Sequence, residues 1–256
     1  MILKLNEGYN ELIMKYLKIE ENFNRLLIGD IKRYGYDNYF FNIWGNFDTN
    51  GSIRGLLIQY FDLLTIYSID NFNLELFIEH INKMPYRNLN GKISTLKHLE
   101  DYINFDKKRI VTFCMLKNKK YINEINIDEN VKKIRFGKIN KILKLYEDID
   151  EFEKPTIKSV RNNLKSGRGY YIEEDKKIVS MAKTTAESDL YAMVIGVGTH
   201  PKYRNRGYAT KCMVRLCKNL IDENKIPCLF YDNEEAGKIY KKIGFKEIDQ
   251  WVIYYK

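Results

Sequence analysis

The sequence has few of the residues that build metal centres or disulfide frameworks. Its 256 residues include four cysteines, with no CxxC pair among them, and three histidines that lie far apart. Structural zinc sites need closely spaced Cys and His ligands, and disulfide scaffolds are dense in Cys. We therefore expect no bound metal, and we expect the thiols of Cys114, Cys212, Cys217 and Cys228 to stay reduced.

The chain also lacks the common phosphate-binding fingerprints and any run long enough to span a membrane. Neither GxxxxGK followed by Ser or Thr nor GxGxxG occurs, which argues against a P-loop and a Rossmann fingerprint. No window approaches the about 20 apolar residues of a membrane helix. The N-terminal run MILKLNEGYNELIMKYLK carries acidic residues and no cleavage site, unlike a signal peptide. We therefore expect a cytoplasmic protein with no membrane partner.

Positive charge predominates, with a formal net charge of +9 at pH 7, but it is scattered along the chain. No run of Lys and Arg reaches the length of a nucleic-acid patch. We therefore expect no nucleic-acid partner, since a nucleic-acid binder would require a contiguous basic stripe. The same charge favours a small anionic ligand through long-range attraction.

Hydrophobic periodicity predicts helices and strands in both halves, separated by a polar stretch without a clear period at 117–130. In the first half it predicts a helix over 9–28, strands over 38–46 and within 53–68, a helix that begins at about 74 and stops near Pro85, a helix over 94–104, and a strand over 109–116. In the second half it predicts strands over 131–137, 169–175, 177–187, 190–200 and 227–232, helices over 138–152, 156–165, 208–224 and 234–243, and a closing strand. The pattern predicts an α+β fold, with a mixed, mostly antiparallel sheet and flanking helices, in two tandem domains over 1–122 and 123–256.

One stretch, HPKYRNRGYAT at 200–210, concentrates positive charge where a predicted strand turns into a helix. The first N–H groups of that helix lack intrahelical partners, and the helix dipole makes this end positive. Gly207 has no Cβ, so a ligand can approach the backbone closely. The stretch therefore predicts a pyrophosphate-binding loop. The alternative is an ordinary turn with solvated arginines.

The run RNRGYA at 204–209 resembles the acyl-CoA-binding motif Q/R-x-x-G-x-G/A of the GNAT superfamily of N-acyltransferases. Two further stretches resemble other parts of that superfamily in the right order: VKKIRFGKINKILKLYEDI its first strand and helix, and NEEAGKIYKKIGFKEI its closing element. The resemblance covers about residues 130–256. The first half is similar in element order to a degenerate GNAT-like copy without the Arg/Gly loop, so we expect no CoA site there.

The resemblance implies direct transfer of an acetyl group from acetyl-CoA to an amine, with a small-molecule acceptor and no metal. Val197 and Thr199 would offer backbone groups to the pantetheine arm, and Asn233 would contact the same arm. The pyrophosphate would be bound by backbone N–H groups of Arg204, Asn205, Arg206, Gly207, Tyr208, Ala209 and Thr210. Tyr240 would be the general acid, because a phenol with a pKa near 10 can protonate an alkyl thiolate.

Other interpretations remain open for the remaining site residues. Tyr240 can instead be a core aromatic residue, and the base can be Glu187, Asp189 or Glu173, or each of these can be a solvated carboxylate. We expect a structural role for His200 and a buried, apolar position for Cys228. The alternative function is a CoA-binding regulatory module without transfer activity.

Overall fold

The computed structural model describes residues 2–69, 74–118, 120–126, 128–185 and 187–256. The strands are β1 (Ile2–Lys4), β2 (Phe41–Phe47), β3 (Ile53–Tyr60), β4 (Leu63–Tyr67), β5 (Asn88–Lys92), β6 (Lys107–Met115), β7 (Lys132–Lys133), β8 (Gly169–Glu174), β9 (Lys177–Thr185), β10 (Tyr191–Thr199), β11 (Ile226–Tyr231) and β12 (Lys246–Tyr255). The helices are α1 (Asn10–Lys18), α2 (Glu21–Tyr34), α3 (Glu75–Asn82), α4 (Ile93–Leu96), α5 (Lys120–Asn123), α6 (Ile139–Glu147), α7 (Ile157–Lys165), α8 (Tyr208–Asp222) and α9 (Glu234–Ile243).

The chain forms two compact units, which confirms the predicted α+β class in two domains. One unit contains Met1–Phe113 together with Ile248–Lys256, and the other contains Cys114–Glu247. These units divide the chain differently from 1–122 and 123–256, because the closing strand β12 pairs with β5 of the first unit. Among the described residues, no helix combines the length and the apolar character needed to cross a bilayer.

The first unit is a mostly antiparallel sheet with a helical cover. Its strands follow the order β1-β2-β3-β4-β5-β12-β6, with β6 belonging to this unit as far as Phe113, and the parallel pair is β4 with β5. The core includes Leu57, Phe77, Leu96, Val252 and Tyr254, each at most 1% exposed. Val252 and Tyr254 belong to β12, so the C-terminal strand supplies part of this core.

The structure corrects several predicted elements of the first half. The helix predicted over 9–28 is two helices, α1 and α2, because the backbone leaves the helical region at Glu20. The helix predicted over 94–104 is only α4 followed by a 3-10 turn over Leu99–Asp101. Strand β5 was not predicted. Positions 119, 127 and 186 of the predicted segments lie outside the described residues.

The second unit has the strand order β11-β10-β9-β8-β7, with helices on both faces of the sheet. Successive residues of β8 point into different clusters, as the alternation of a strand requires: Tyr170 and Ile172 pack with α8 and α9, and Tyr171 packs with α6 and α7. The predicted strand over 131–137 is shortened to Lys132–Lys133. The helix predicted over 234–243 has the predicted bounds and ends at Gly244.

Candidate active site

The loop between β10 and α8 carries two residues in the left-handed backbone region. Asn205 has a φ of 63° and Gly207 has a φ of 73°. Gly207 is the N-cap of α8 and provides no side-chain cap, so the N–H groups of the first turn lack a capping partner there. A Cβ added at Gly207 would meet nothing within 4 Å. The turn is therefore an open surface of backbone donors at the positive end of a helix, which suits an anion.

The charged side chains of this loop have defined neighbours. Arg204 donates from Nη2 to Glu151 Oε2 at 3.0 Å and from Nε to the carbonyl of Thr199 at 3.3 Å. The guanidinium of Arg206 lies over the ring of Tyr203, 5.2 Å from its centroid. Glu151 thus partly neutralises Arg204, whereas Arg206 has an aromatic neighbour and keeps its positive charge for a ligand.

Hydrogen bonds fix His200, which precedes the loop, and Tyr208, which begins α8. His200 Nδ1 accepts from the N–H of Lys202 at 3.2 Å, which caps the 3-10 turn over Pro201–Tyr203. Tyr208 donates from its hydroxyl to Glu174 Oε1 at 3.0 Å. These contacts give His200 the structural position expected from the sequence and orient the first turn of α8.

Strands β10 and β11 diverge next to this loop. Their parallel pairing extends over Tyr191–Met193 and Ile226–Cys228. Within the described part of both strands, no further ladder pair joins them. The edge of β10 that faces β11 therefore offers backbone groups along its second half, where Val197 and Thr199 lie. Thr199 is fixed by a hydrogen bond of 2.9 Å between its hydroxyl and that of Ser180.

A β-bulge interrupts β10 between Ile195 and Gly198. Gly196 lies in this bulge with a φ of 58°, and a Cβ there would collide with the hydroxyl of Tyr146. It would also lie 3.0 Å from Cε of Lys183. Only glycine combines this backbone angle with such a close approach, so the bulge brings the side chains of α6 and β9 against the strand.

The start of α9 and its Tyr240 lie beyond the C-terminal end of β11. Asn233 caps α9, since its Oδ1 accepts from the N–H groups of Glu235 at 2.9 Å and Ala236 at 3.1 Å. Tyr240 is 6% exposed and belongs to the cluster against which Val197 packs. Burial, followed by the nearby thiols of Cys114 and Cys217, raises the pKa of Tyr240. The phenol is therefore a neutral hydrogen-bond donor at physiological pH.

Glu187, whose side chain is 8% exposed, lies in a partly buried group of ion pairs. Arg168 donates to it from Nε at 3.0 Å and from Nη2 at 2.7 Å, and Lys225 Nζ lies 3.2 Å from Oε2. Thr184 adds a hydroxyl donor at 2.6 Å. Burial acts to raise the pKa of Glu187, but the hydrogen bonds from Arg168 and Thr184 outweigh it and hold the pKa below its usual value. A carboxylate of this kind accepts protons poorly.

The structure brings most of the predicted site residues to one edge of the second unit. The loop at 204–210, Val197 and Thr199 lie at the C-terminal end of β10, and Asn233 follows the parallel strand β11. Glu187 and Asp189 precede β10, and the six steps along the strand from Tyr191 to Val197 span about 20 Å. The predicted bases at 187 and 189 thus lie far along the strand from the loop.

The third base candidate, Glu173, is on β8 and is engaged by two lysines. Lys138 Nζ lies 3.3 Å from its Oε1, and Lys141 Nζ lies 2.5 Å from the same atom. The hydrogen bond from Lys141 is the main cause that lowers the pKa of Glu173. This carboxylate is an ion-pair partner at the end of β8.

Sequence reasoning missed Lys183, which lies on β9 and is only 2% exposed. Its Nζ lies 5.7 Å from the ring centroid of Tyr146, and burial lowers the pKa of Lys183 to about 8. The signal was a lysine that follows apolar residues within the predicted strand KIVSMAKTT. Cys228 is fully buried, as expected. In the part of the chain that the structure describes, no three His, Cys, Asp or Glu side chains form a potential metal site.

A family model described as GNAT acetyltransferase matches residues 69–254, which is most of the chain. The chain belongs to the GNAT acetyltransferase family. The match begins before the predicted domain boundary at 122–123, so the family model includes part of the first half. A comparison with curated proteins found no match.

Solved GNAT structures have the same fold over nearly the whole chain. A GCN5-related N-acetyltransferase from Sphaerobacter thermophilus is 10% identical with a TM-score of 0.68, covering 100% of this chain and 95% of its own. A GCN5-related N-acetyltransferase-like protein from Streptococcus suis is 16% identical with a TM-score of 0.59, covering 96% of this chain and 100% of its own. A tandem GNAT protein from the clavulanic acid biosynthesis pathway is 11% identical with a TM-score of 0.61, covering 100% of this chain and 98% of its own.

Together, the family and the fold assign this GNAT protein to acyl transfer in general terms. The tandem relative also fits the two-domain layout.

Proposed function

We propose that this GNAT protein transfers an acetyl group from acetyl-CoA to the amine of a small molecule by direct attack. The observation that carries the proposal is the open turn at Gly207. Its left-handed backbone is followed by the uncapped N–H groups of the first turn of α8. This turn lies next to the place where the pairing of β10 with β11 ends. The empty space above Gly207 fits a bound pyrophosphate, because nothing stands within 4 Å of a Cβ there.

Residues of this chain would bind the donor at two places. The N–H groups from Arg204 to Thr210 would donate to the pyrophosphate oxygens, and Arg206 would neutralise part of their charge. Backbone groups of Val197 and Thr199 would hydrogen-bond the pantetheine arm along the unpaired edge of β10. When bound, acetyl-CoA supplies an activated thioester carbonyl and a thiolate leaving group.

Tyr240 would donate its hydroxyl hydrogen toward the leaving sulfur. Burial raises the pKa of Tyr240, so the phenol carries its proton at neutral pH. The same shift makes complete proton transfer to a thiolate less favourable, so the first contribution is a hydrogen bond to the developing negative charge. Asn233 would orient this region by fixing the start of α9.

We assign Glu187 to holding the start of β10 through Arg168 and Lys225 rather than to proton abstraction. The acceptor would have to lose its proton to another group or to water. In this proposal the acyl-CoA site lies in the predicted domain 123–256, and the predicted domain 1–122 contains no CoA site.

The test combines binding with turnover. Acetyl-CoA should raise the melting temperature, and an amine panel should contain acceptors that release free CoA thiol. Binding of acetyl-CoA without thiol release from any amine would favour the alternative, a CoA-binding regulatory module. Greater stabilisation by single-stranded or duplex DNA than by acetyl-CoA would contradict both functions.

A further inference from the structure

The second unit buries a lysine without a carboxylate partner. Lys183 is 2% exposed, and within the described residues no acidic side chain lies at ion-pair distance from it. Its contact is the ring of Tyr146, with Nζ 5.7 Å from the centroid. A buried ammonium without a counter-ion is unfavourable, which is why burial lowers the pKa of Lys183 to about 8. Near neutral pH the side chain is still mostly a cation.

The same chain buries another lysine in the usual way. Lys92 is 4% exposed and lies over the rings of Phe23 and Tyr67, 4.6 Å and 5.5 Å from their centroids. It also forms an ion pair with the carboxylate of Glu20. Lys183 has the aromatic neighbour but lacks the carboxylate, so its environment is missing the anion that compensates a buried cation.

Lys183 lies where the proposed pantetheine path ends. It pairs with Ile195 in the antiparallel ladder of β9 and β10, and its Cε lies against the bulge at Gly196. The proposed arm passes Thr199 and then Val197, moving away from the loop at 204–210. The next residue in that direction is Gly196. The hydroxyl of Tyr146 lies against the same glycine, so two polar side chains converge at this point.

We propose that Lys183, with Tyr146, forms a carboxylate-binding subsite at the acyl end of the cleft. This inference rests on the proposed function, which places the acyl end there. The ammonium can donate three hydrogen bonds and the phenol one, a set that suits a carboxylate. The carboxylate comes either from the acceptor, as in an amino acid, or from the far end of a dicarboxylic acyl group.

The experiment uses the full chain with two donors, acetyl-CoA and succinyl-CoA, and three acceptors, leucine, leucinamide and spermidine. The variant is Lys183→Met, which keeps the length of the side chain and removes the charge. Lys177→Met is the matched control, because Lys177 is an exposed lysine on the same strand. Replacing an unpaired buried charge by an apolar side chain should leave the melting temperature unchanged or raise it.

The wild type should show at least a tenfold higher kcat/KM for one substrate that carries the carboxylate than for its counterpart without it. A preference for leucine over leucinamide identifies the acceptor as the source, and a preference for succinyl-CoA over acetyl-CoA identifies the acyl group. Lys183→Met should lose this preference while it binds CoA normally, and Lys177→Met should keep it.

Two results would overturn the inference while the proposed function stands. One is turnover with no preference for leucine over leucinamide and none for succinyl-CoA over acetyl-CoA, whether or not spermidine is the best acceptor. The other is a carboxylate preference that Lys183→Met retains. If neither acetyl-CoA nor succinyl-CoA binds in calorimetry, the proposed function and this inference are overturned together.

Discussion

Arg168 binds both oxygens of Glu187, from Nε to Oε1 at 3.0 Å and from Nη2 to Oε2 at 2.7 Å. The same guanidinium also binds Glu223, with 2.7 Å from Nη2 to Oε2. One arginine thus ties the segment before β10 to the C-terminal end of α8. This arrangement gives Glu187 a structural position at the opposite end of β10 from the loop at 204–210.

Replacing Glu187 by Gln should lower stability much more than activity. The side chain of Glu187 is 8% exposed, and removing its charge leaves the partly buried Arg168 and Lys225 with only the more exposed Glu223 as a counter-ion. We expect a loss of about 2 kcal/mol in the free energy of unfolding, since hydrogen bonds to charged groups contribute about 1.5–3 kcal/mol. Turnover, measured below the melting temperature, should stay within about threefold of the wild type. Asp189→Asn, an exposed carboxyl in the same segment, is the control and should change neither quantity. A large loss of turnover with unchanged stability would instead make Glu187 the base.

The Arg168 group of ion pairs should make stability depend on pH in the acid range. Hydrogen bonds from Arg168 lower the pKa of Glu223 from 4.5 to about 2, and the pKa of Glu187 is also lowered. Because the folded-state pKa values are depressed, their contribution is present above pH 4.5 and is lost as the pH falls toward about 2. In urea titrations, the difference in unfolding free energy between the wild type and Arg168→Met should therefore shrink over this range. A difference that is constant with pH would contradict this assignment.

Replacing Gly207 by Asn should weaken acetyl-CoA binding with little change in folding. Asn tolerates the left-handed region better than other residues with side chains, so the φ of 73° can be kept. Its side chain would occupy the open space above the turn. We expect at least a tenfold weaker affinity in calorimetry. Gly51→Asn is the matched control, because Gly51 has a φ of 77° and equally open surroundings. Unchanged affinity in Gly207→Asn would place the pyrophosphate elsewhere.

Replacing Tyr240 by Phe should lower kcat at least tenfold and leave the affinity for acetyl-CoA near that of the wild type. The ring contacts with Tyr231 and Phe245, at 5.7 Å and 5.9 Å between centroids, do not need the hydroxyl. Stopped-flow and steady-state thiol release would measure the effect. Tyr231→Phe is the control and removes a neighbouring hydroxyl that binds Glu247. Equal kcat in the two variants and the wild type would make Tyr240 a core aromatic residue.

The family and the elements around the loop could be predicted because their signals are local. The bounds of a helix depend on a few neighbouring residues. Examples are the glycine before α8, Gly207, and the residues that cap α9 at its two ends, Asn233 and Gly244. The position of the predicted pyrophosphate loop between β10 and α8 followed from this local pattern.

The features that escaped prediction depend on partners that are distant in sequence. Strand β5 reads NLNGK, which is too polar to predict a buried strand. Asn90 is nevertheless buried, because its Oδ1 accepts from Thr65 at 3.0 Å and from Trp251 Nε1 at 3.1 Å. The burial of Lys183 depends on Tyr146 of α6, and the ion pairs of Glu187 depend on Arg168. No local pattern contains these pairings.

The position of β12 has a consequence for the order in which this protein is completed. Residues Ile248–Lys256 belong to the first unit and supply Val252 and Tyr254 to its core. They are synthesised after the whole of the second unit, although the rest of their own unit is synthesised before it. The sheet of the first unit therefore keeps β5 unpaired on one side until β12 has been synthesised. A chain that is truncated before Ile248 keeps its predicted CoA loop and loses the strand that pairs with β5.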